Sequence, residues 1–271
     1  MCAHAKPDMS NIKKMNRIDQ LFITKKEQIL NIYFTAGYPK LDDTTTMIKE
    51  LEASGVDIVE IGIPFSDPVA DGPTIQESNA IALNNGMTLK LLFEQLCQIR
   101  ESVNIPIVLM GYINPVLQFG IEEFCKECEK VGVDGLILPD LPLAEYLRSY
   151  KSTFEKHGLF NIQLITPQTS EARIREIDET SNGFIYMVSS SSTTGAKSTI
   201  SENQEQYFER VNSMALKNPK LIGFGISNAE TFDKACENAT GAIIGSAFVK
   251  KISGSEDLRD DIGSFVKSII Q

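Results

Sequence analysis

Histidine is scarce in this chain: of its 271 residues only His4 and His157 carry imidazole. One lies in a polar leading segment and the other at a helix end, which leaves no histidine at a strand end for Ser-His-Asp chemistry and too few ligands for a metal centre. Cysteine is sparse and scattered. Cys2, Cys97, Cys125, Cys128 and Cys236 form an odd set without a disulfide framework, as in a cytoplasmic protein. Cys125 and Cys128 make a Cys-x-x-Cys, but inside a helical pattern and with no second pair of ligands. No apolar run approaches the ~20 residues that span a bilayer, and no apolar core of a secretory signal follows Met1. Positive charge is also in short supply. A formal net charge of −10 argues against a nucleic-acid surface.

What is present is an ordinary globular composition, 42% hydrophobic and 23% charged, in which strand-like and helix-like segments alternate. Apolar runs predict strands at 29–34, 56–63, 105–110, 135–138, 161–165, 183–188, 221–224 and 241–244. Helical spacing falls between them, at 42–54, 75–83, 89–102, 121–131, 144–157, 170–180, 203–216, 229–237 and 257–270. A short leading helix is expected at 11–22. Eight strand–helix units over one chain of ~250 residues predict a single (β/α)8 TIM barrel covering 1–271, with 1–10 a flexible tail. A doubly wound sheet uses the same alternation. It would place a glycine-rich dinucleotide turn after the first strand, where this chain has Thr35-Ala36-Gly37-Tyr38-Pro39.

The second strand carries the chemistry. Alternation puts Val59, Ile61 and Ile63 on one face and Ile58, Glu60 and Gly62 on the other. Glu60 is thus a carboxylate inside an apolar strand, either paired to a base for structural reasons or poised for proton transfer. Asp71 follows in a loop rich in Pro and Asp. An Asp-Gly-Pro sequence suits a turn, but two carboxylates on one strand–loop unit also suit an acid/base pair. Tyr186, in the sixth predicted strand, either points a phenol inward or packs in the core. Glycine-rich turns end the last strands, at Gly223-Phe224-Gly225-Ile226 and Gly245-Ser246-Ala247, with Thr194-Gly195 closing a long polar loop. Such turns let backbone N–H groups approach a phosphate. The serine run 189–192 reads as part of a lid.

The stretch from Glu60 to Gln76, EIGIPFSDPVADGPTIQ, closely resembles the signature of the tryptophan synthase α-subunit family. Further matches are Thr35-Ala36-Gly37-Tyr38-Pro39, Tyr112-Ile113-Asn114-Pro115, Gly132-Val133-Asp134-Gly135, Thr194-Gly195, Gly223-Phe224-Gly225-Ile226 and Gly245-Ser246-Ala247. The resemblance therefore runs from the first strand to the last. It implies cleavage of indole-3-glycerol phosphate to indole and glyceraldehyde 3-phosphate, with Glu60 as general acid/base and Asp71 holding the indole N–H. Tyr186 would lie by the glycerol, Gly195, Gly225, Gly245 and Ser246 by the phosphate, Phe224 beside the substrate, and Tyr33 and Met110 against the indole. Asp67 and Thr194 would serve closure and signalling to a partner. That partner is a β subunit in an α2β2 heterotetramer. It would hold pyridoxal phosphate, while this chain would need neither metal nor organic cofactor. One departure is evident: the lid has Ser190 and Ser192 where the family usually carries Arg and Gly. Other readings are a stand-alone lyase releasing free indole and a non-catalytic, ligand-binding activator. A relative of indole-3-glycerol phosphate synthase would need a lysine on an early strand, and strands 1 and 2 have none.

Overall fold

A computed structural model describes residues 15–189, 202–223 and 225–270. Within it the runs of Ile, Val and Leu form strands β1 (Ile29–Thr35), β2 (Ile58–Gly62), β3 (Ile107–Met110), β4 (Gly135–Ile137), β5 (Phe160–Ile162), β6 (Leu164–Ile165), β7 (Ile185–Val188), β8 (Lys220–Gly223) and β9 (Gly241–Ile244). They make one sheet in the order β5-β4-β3-β2-β1-β9-β8-β7-β6. Every pairing is parallel. The two outermost strands, β5 and β6, are consecutive in the chain and separated only by Gln163. They are halves of the single strand predicted at 161–165, and the Gln163 carbonyl accepts a bond from the Tyr186 N–H (3.0 Å). The sheet therefore closes through a broken fifth strand into a (β/α)8 barrel.

Helices α1 (Arg17–Thr24), α2 (Asp43–Ala53) and α3 (Pro73–Asn84) follow the predicted pattern with shifted ends. The leading helix begins at Arg17 because the Asn16 side chain caps it, accepting from the Ile18 N–H (2.9 Å); of its predicted start, 11–14 lie outside the described residues. Two further helices have no counterpart among the predicted ones. Ile113–Phe119 forms where the sequence predicts only a strand-end turn, since Pro115 falls in its first turn, where a missing N–H costs nothing. Ser246–Ile252 starts directly after β9. The helix predicted at 144–157 is interrupted by a wider, π-type turn at Tyr146–Tyr150.

Alternation along the strands separates two apolar clusters. Leu30, Ile32, Phe34, Val59, Ile61 and Leu109 face the surrounding helices. Ile29, Ile58, Val108, Ile137, Ile162, Phe184, Leu221 and Ile243 fill the barrel interior. Ile18 of α1 joins the interior cluster, with Leu21 and Phe22 packed beside it, so the leading helix stops the end of the barrel where the strands begin. Asp134, just before β4, anchors that end: its buried carboxylate accepts from Arg17 (2.9 Å), Arg100 (2.7 Å) and the Ile107 N–H (2.9 Å). No helix among the described residues is long and apolar enough to cross a membrane.

Candidate active site

The register of β1, β2 and β3 aims Glu60 into the barrel. Glu60 is aligned with Tyr33 on one side and Val108 on the other, and Val108 belongs to the interior cluster. Its side chain is 1% exposed. Asn31 on β1 donates from Nδ2 to Glu60 Oε2 (2.9 Å), while Glu60 Oε1 has no partner among the described residues. Burial in this apolar wall pushes the Glu60 carboxyl up to about 8. The Asn31 hydrogen bond opposes the rise and the nearby Asp71 charge adds to it. Glu60 is thus protonated at neutral pH yet within reach of ionisation.

Asp71 stands on the loop between β2 and α3, and three contacts hold it there. Tyr112 Oη donates to Asp71 Oδ2 (3.0 Å) and accepts the Ala70 N–H (3.0 Å), and Gln76 Nε2 donates to the Asp71 carbonyl (2.8 Å). The Tyr112 ring packs on Phe65 of the same loop, centroid to centroid 5.0 Å. The Phe65 N–H in turn donates to Asn79 of α3 (2.9 Å). Burial raises the Asp71 carboxyl and the Tyr112 hydrogen bond restrains the rise.

Two phenols line the space near these carboxylates. Burial raises Tyr33 far above the usual phenol range, with the charges of Asp71 and Glu60 contributing. Burial, Glu60 and Asp71 do the same to Tyr186. Both rings lie over glycines on the neighbouring strand. A Cβ on Gly62 would sit 2.1 Å from Tyr33 Oη, and one on Gly223 would sit 2.3 Å from Tyr186 Oη, closer than van der Waals contact allows. The Tyr33 hydroxyl also leads outward through Thr35 Oγ1 (3.4 Å) to Ser78 Oγ of α3 (2.6 Å from Thr35).

Of the residues predicted from sequence, Glu60, Asp71, Tyr33 and Tyr186 form one electrostatically linked group. Met110 ends β3 half-buried against the interior cluster. Gly225, in the left-handed region at φ +85°, follows β8 by one residue more than the strand's end. Gly245 and Ser246 join β9 to the helix Ser246–Ile252. Asp67 is exposed on the loop leading to Asp71, where it accepts a bond from the Ser66 hydroxyl. Gly195, Thr194, Phe224, Ser190 and Ser192 lie outside the described residues. Local sequence pattern does not reveal the Asn31 contact, the Tyr112 tether, or the space that Gly62 and Gly223 leave for the phenols. An asparagine in the apolar run of β1 was the available signal for the first.

Comparison with known proteins decides the family. The family model described as tryptophan synthase alpha chain matches residues 20–267. The chain belongs to the tryptophan synthase alpha chain family. Among alpha-chain relatives, that of Flavobacterium psychrophilum is 59% identical over 94% of this chain and 100% of its own length. The alpha chain of Parabacteroides distasonis is 53% identical over 95% and 100%. A crystal structure of the alpha subunit from Legionella pneumophila superposes with a TM-score of 0.85 at 32% identity, covering 94% of this chain and 97% of that one. A chain of the tryptophan synthase complex from Pyrococcus furiosus does so with a TM-score of 0.81 at 32% identity, covering 90% and 98%. The alpha-chain fold thus extends over nearly all of the described barrel, and Glu60 lies on the second strand of that fold.

Proposed function

We propose that this alpha chain cleaves indole-3-glycerol phosphate to indole and glyceraldehyde 3-phosphate by a retro-aldol reaction. Glu60 gives its proton to the indole ring carbon that bears the glycerol chain. The ring electrons drawn to that carbon leave positive charge on the indole nitrogen, and Asp71 accepts that N–H and stabilises the charge. Glu60, now a carboxylate, takes the proton of the glycerol hydroxyl beside the breaking bond. The carbon–carbon bond then breaks, its electron pair returns to the ring, and the hydroxyl carbon becomes the aldehyde. One proton moves to carbon, one leaves oxygen, and no oxidant is consumed. Tyr186 faces the glycerol and Tyr33 and Met110 the indole. Gly195, Gly225, Gly245 and Ser246 take the phosphate with backbone N–H groups, Phe224 flanks the substrate, and Asp67 and Thr194 serve closure.

The observation that carries this reading is a buried, inward carboxyl, held by Asn31 at 2.9 Å and pushed up by burial, that feels the charge of a second carboxylate tethered by Tyr112. A group that must both give and take a proton works best with an affinity near the working pH.

The same reading makes the chain one half of an α2β2 assembly in the cytoplasm, with indole handed to a β subunit that alone carries pyridoxal phosphate. Free thiols at Cys97, Cys125, Cys128 and Cys236 agree with a reducing compartment. An indole-release assay of wild type and Glu60→Gln, with and without a β subunit, tests reaction and partnership together. Loss of turnover in the variant by ~100-fold or more, and a rate gain and co-elution with the β subunit, are expected. Near-wild-type turnover in Glu60→Gln would remove Glu60 from the chemistry, and no turnover in wild type would leave only a ligand-binding subunit. Turnover indifferent to a β subunit that does not co-elute would leave a stand-alone lyase.

A further inference from the structure

Asn31 is fully buried on the inward side of β1, between Ile29 and Tyr33. Its register partners are Ile58 on β2 and Ile243 on β9, both members of the apolar interior cluster. An amide in such a layer is costly unless it is hydrogen-bonded. Its Nδ2 donates to Glu60 Oε2 at 2.9 Å, whereas its Oδ1 has no partner among the described residues. The orientation of this side chain is therefore set by Glu60. Packing alone would place an aliphatic side chain here, as it does at Ile29 and Ile58.

We propose that Asn31 is a positioning residue for the reaction: it grips Oε2 of Glu60, leaves Oε1 as the atom that exchanges protons with substrate, and keeps the ionised form of the carboxyl accessible. This rests on the reading that Glu60 is the acid/base group. Proton donation to the ring leaves a carboxylate that must persist long enough to take the hydroxyl proton. In an apolar wall that carboxylate is disfavoured, and a fixed N–H donor favours the charged over the neutral form. The titratable groups of the described residues that act on Glu60 or feel its charge are Asp71 on the following loop, Tyr33 on β1 and Tyr186 on β7. Asp71 and the two phenols can only add negative charge, so Asn31 is the group that works in the other direction.

The test is the titration of Glu60 itself, followed in full-length protein without ligand through its infrared carboxyl band, assigned by the band's loss in Glu60→Gln. In Asn31→Val the midpoint should move up by about one unit, a tenfold change in proton affinity. The pH–kcat profile should shift with it, while KM stays within about twofold, as expected when binding is untouched. Asn31→Thr keeps a hydroxyl donor on a strand-compatible side chain and should recover part of the shift; it also serves if the valine variant does not fold. An unmoved midpoint in a folded Asn31→Val, or in Asn31→Thr a midpoint and profile both like wild type while kcat is lost, overturns the proposal. Retained turnover in Glu60→Gln together with a shifted midpoint in Asn31→Val would instead overturn the reaction reading, and only the catalytic part of Asn31's role with it.

Discussion

In Glu60→Gln a neutral amide of nearly the same shape replaces a carboxyl whose proton equilibrium is strongly perturbed by folding. Glu60 rises from 4.5 in the unfolded chain to about 8 in the barrel, mainly through burial. Between those values the folded protein holds a proton that the unfolded chain has released. Stability therefore falls as pH rises through this window and levels off above it. Each unit of difference is worth ~1.4 kcal/mol, so the full rise corresponds to about 4–5 kcal/mol of stability present at pH 4 and absent at pH 9. The glutamine variant has no such dependence at this position. Its advantage over wild type should grow steadily from about pH 5 to about pH 8 and then stay constant, even as lyase activity disappears. Urea unfolding of both proteins across that range measures the difference directly. Two parallel stability–pH curves would refute the burial argument, because they would mean that Glu60 titrates alike in folded and unfolded chains.

Two further outcomes follow from distances. Gly62→Ala would drive a methyl to 2.1 Å from Tyr33 Oη. It should cost about 1–3 kcal/mol of stability and lower kcat by displacing the phenol that lies beside Glu60. Unchanged kcat in that variant would remove Tyr33 from the site. Asp134→Asn leaves Arg17 and Arg100, now paired at 2.9 and 2.7 Å, without their countercharge. Thermal unfolding should report a loss of about 3 kcal/mol, while kcat stays at the wild-type value, because the Asp134 carboxylate bonds only to Arg17, Arg100 and the Ile107 N–H among the described residues, and to no member of the Glu60 group. A fall in kcat at temperatures where that variant is folded would show the two ends to be coupled.

What the sequence determined by itself is what local pattern can carry. A strand's alternation put Glu60 and Gly62 on the side opposite Val59 and Ile61, and one strand's pattern requires no knowledge of its neighbours. The count of strand–helix units was likewise enough for a barrel, and the long motif from Glu60 to Gln76 was enough for the family. Local pattern failed where a helix tolerated Pro115 in its first turn and where one strand broke at Gln163, since neither disturbs the apolar periodicity. Only the tertiary structure decided which partner each polar group found. Asn31 lies 29 residues from Glu60 in sequence and Tyr112 lies 41 from Asp71, and both contacts exist because parallel pairing sets β1 and β3 on either side of β2. Burial did the rest. The same carboxyl on an open surface would keep its ordinary affinity, and it is enclosure by the barrel wall that moves Glu60 to where it can both donate and accept a proton.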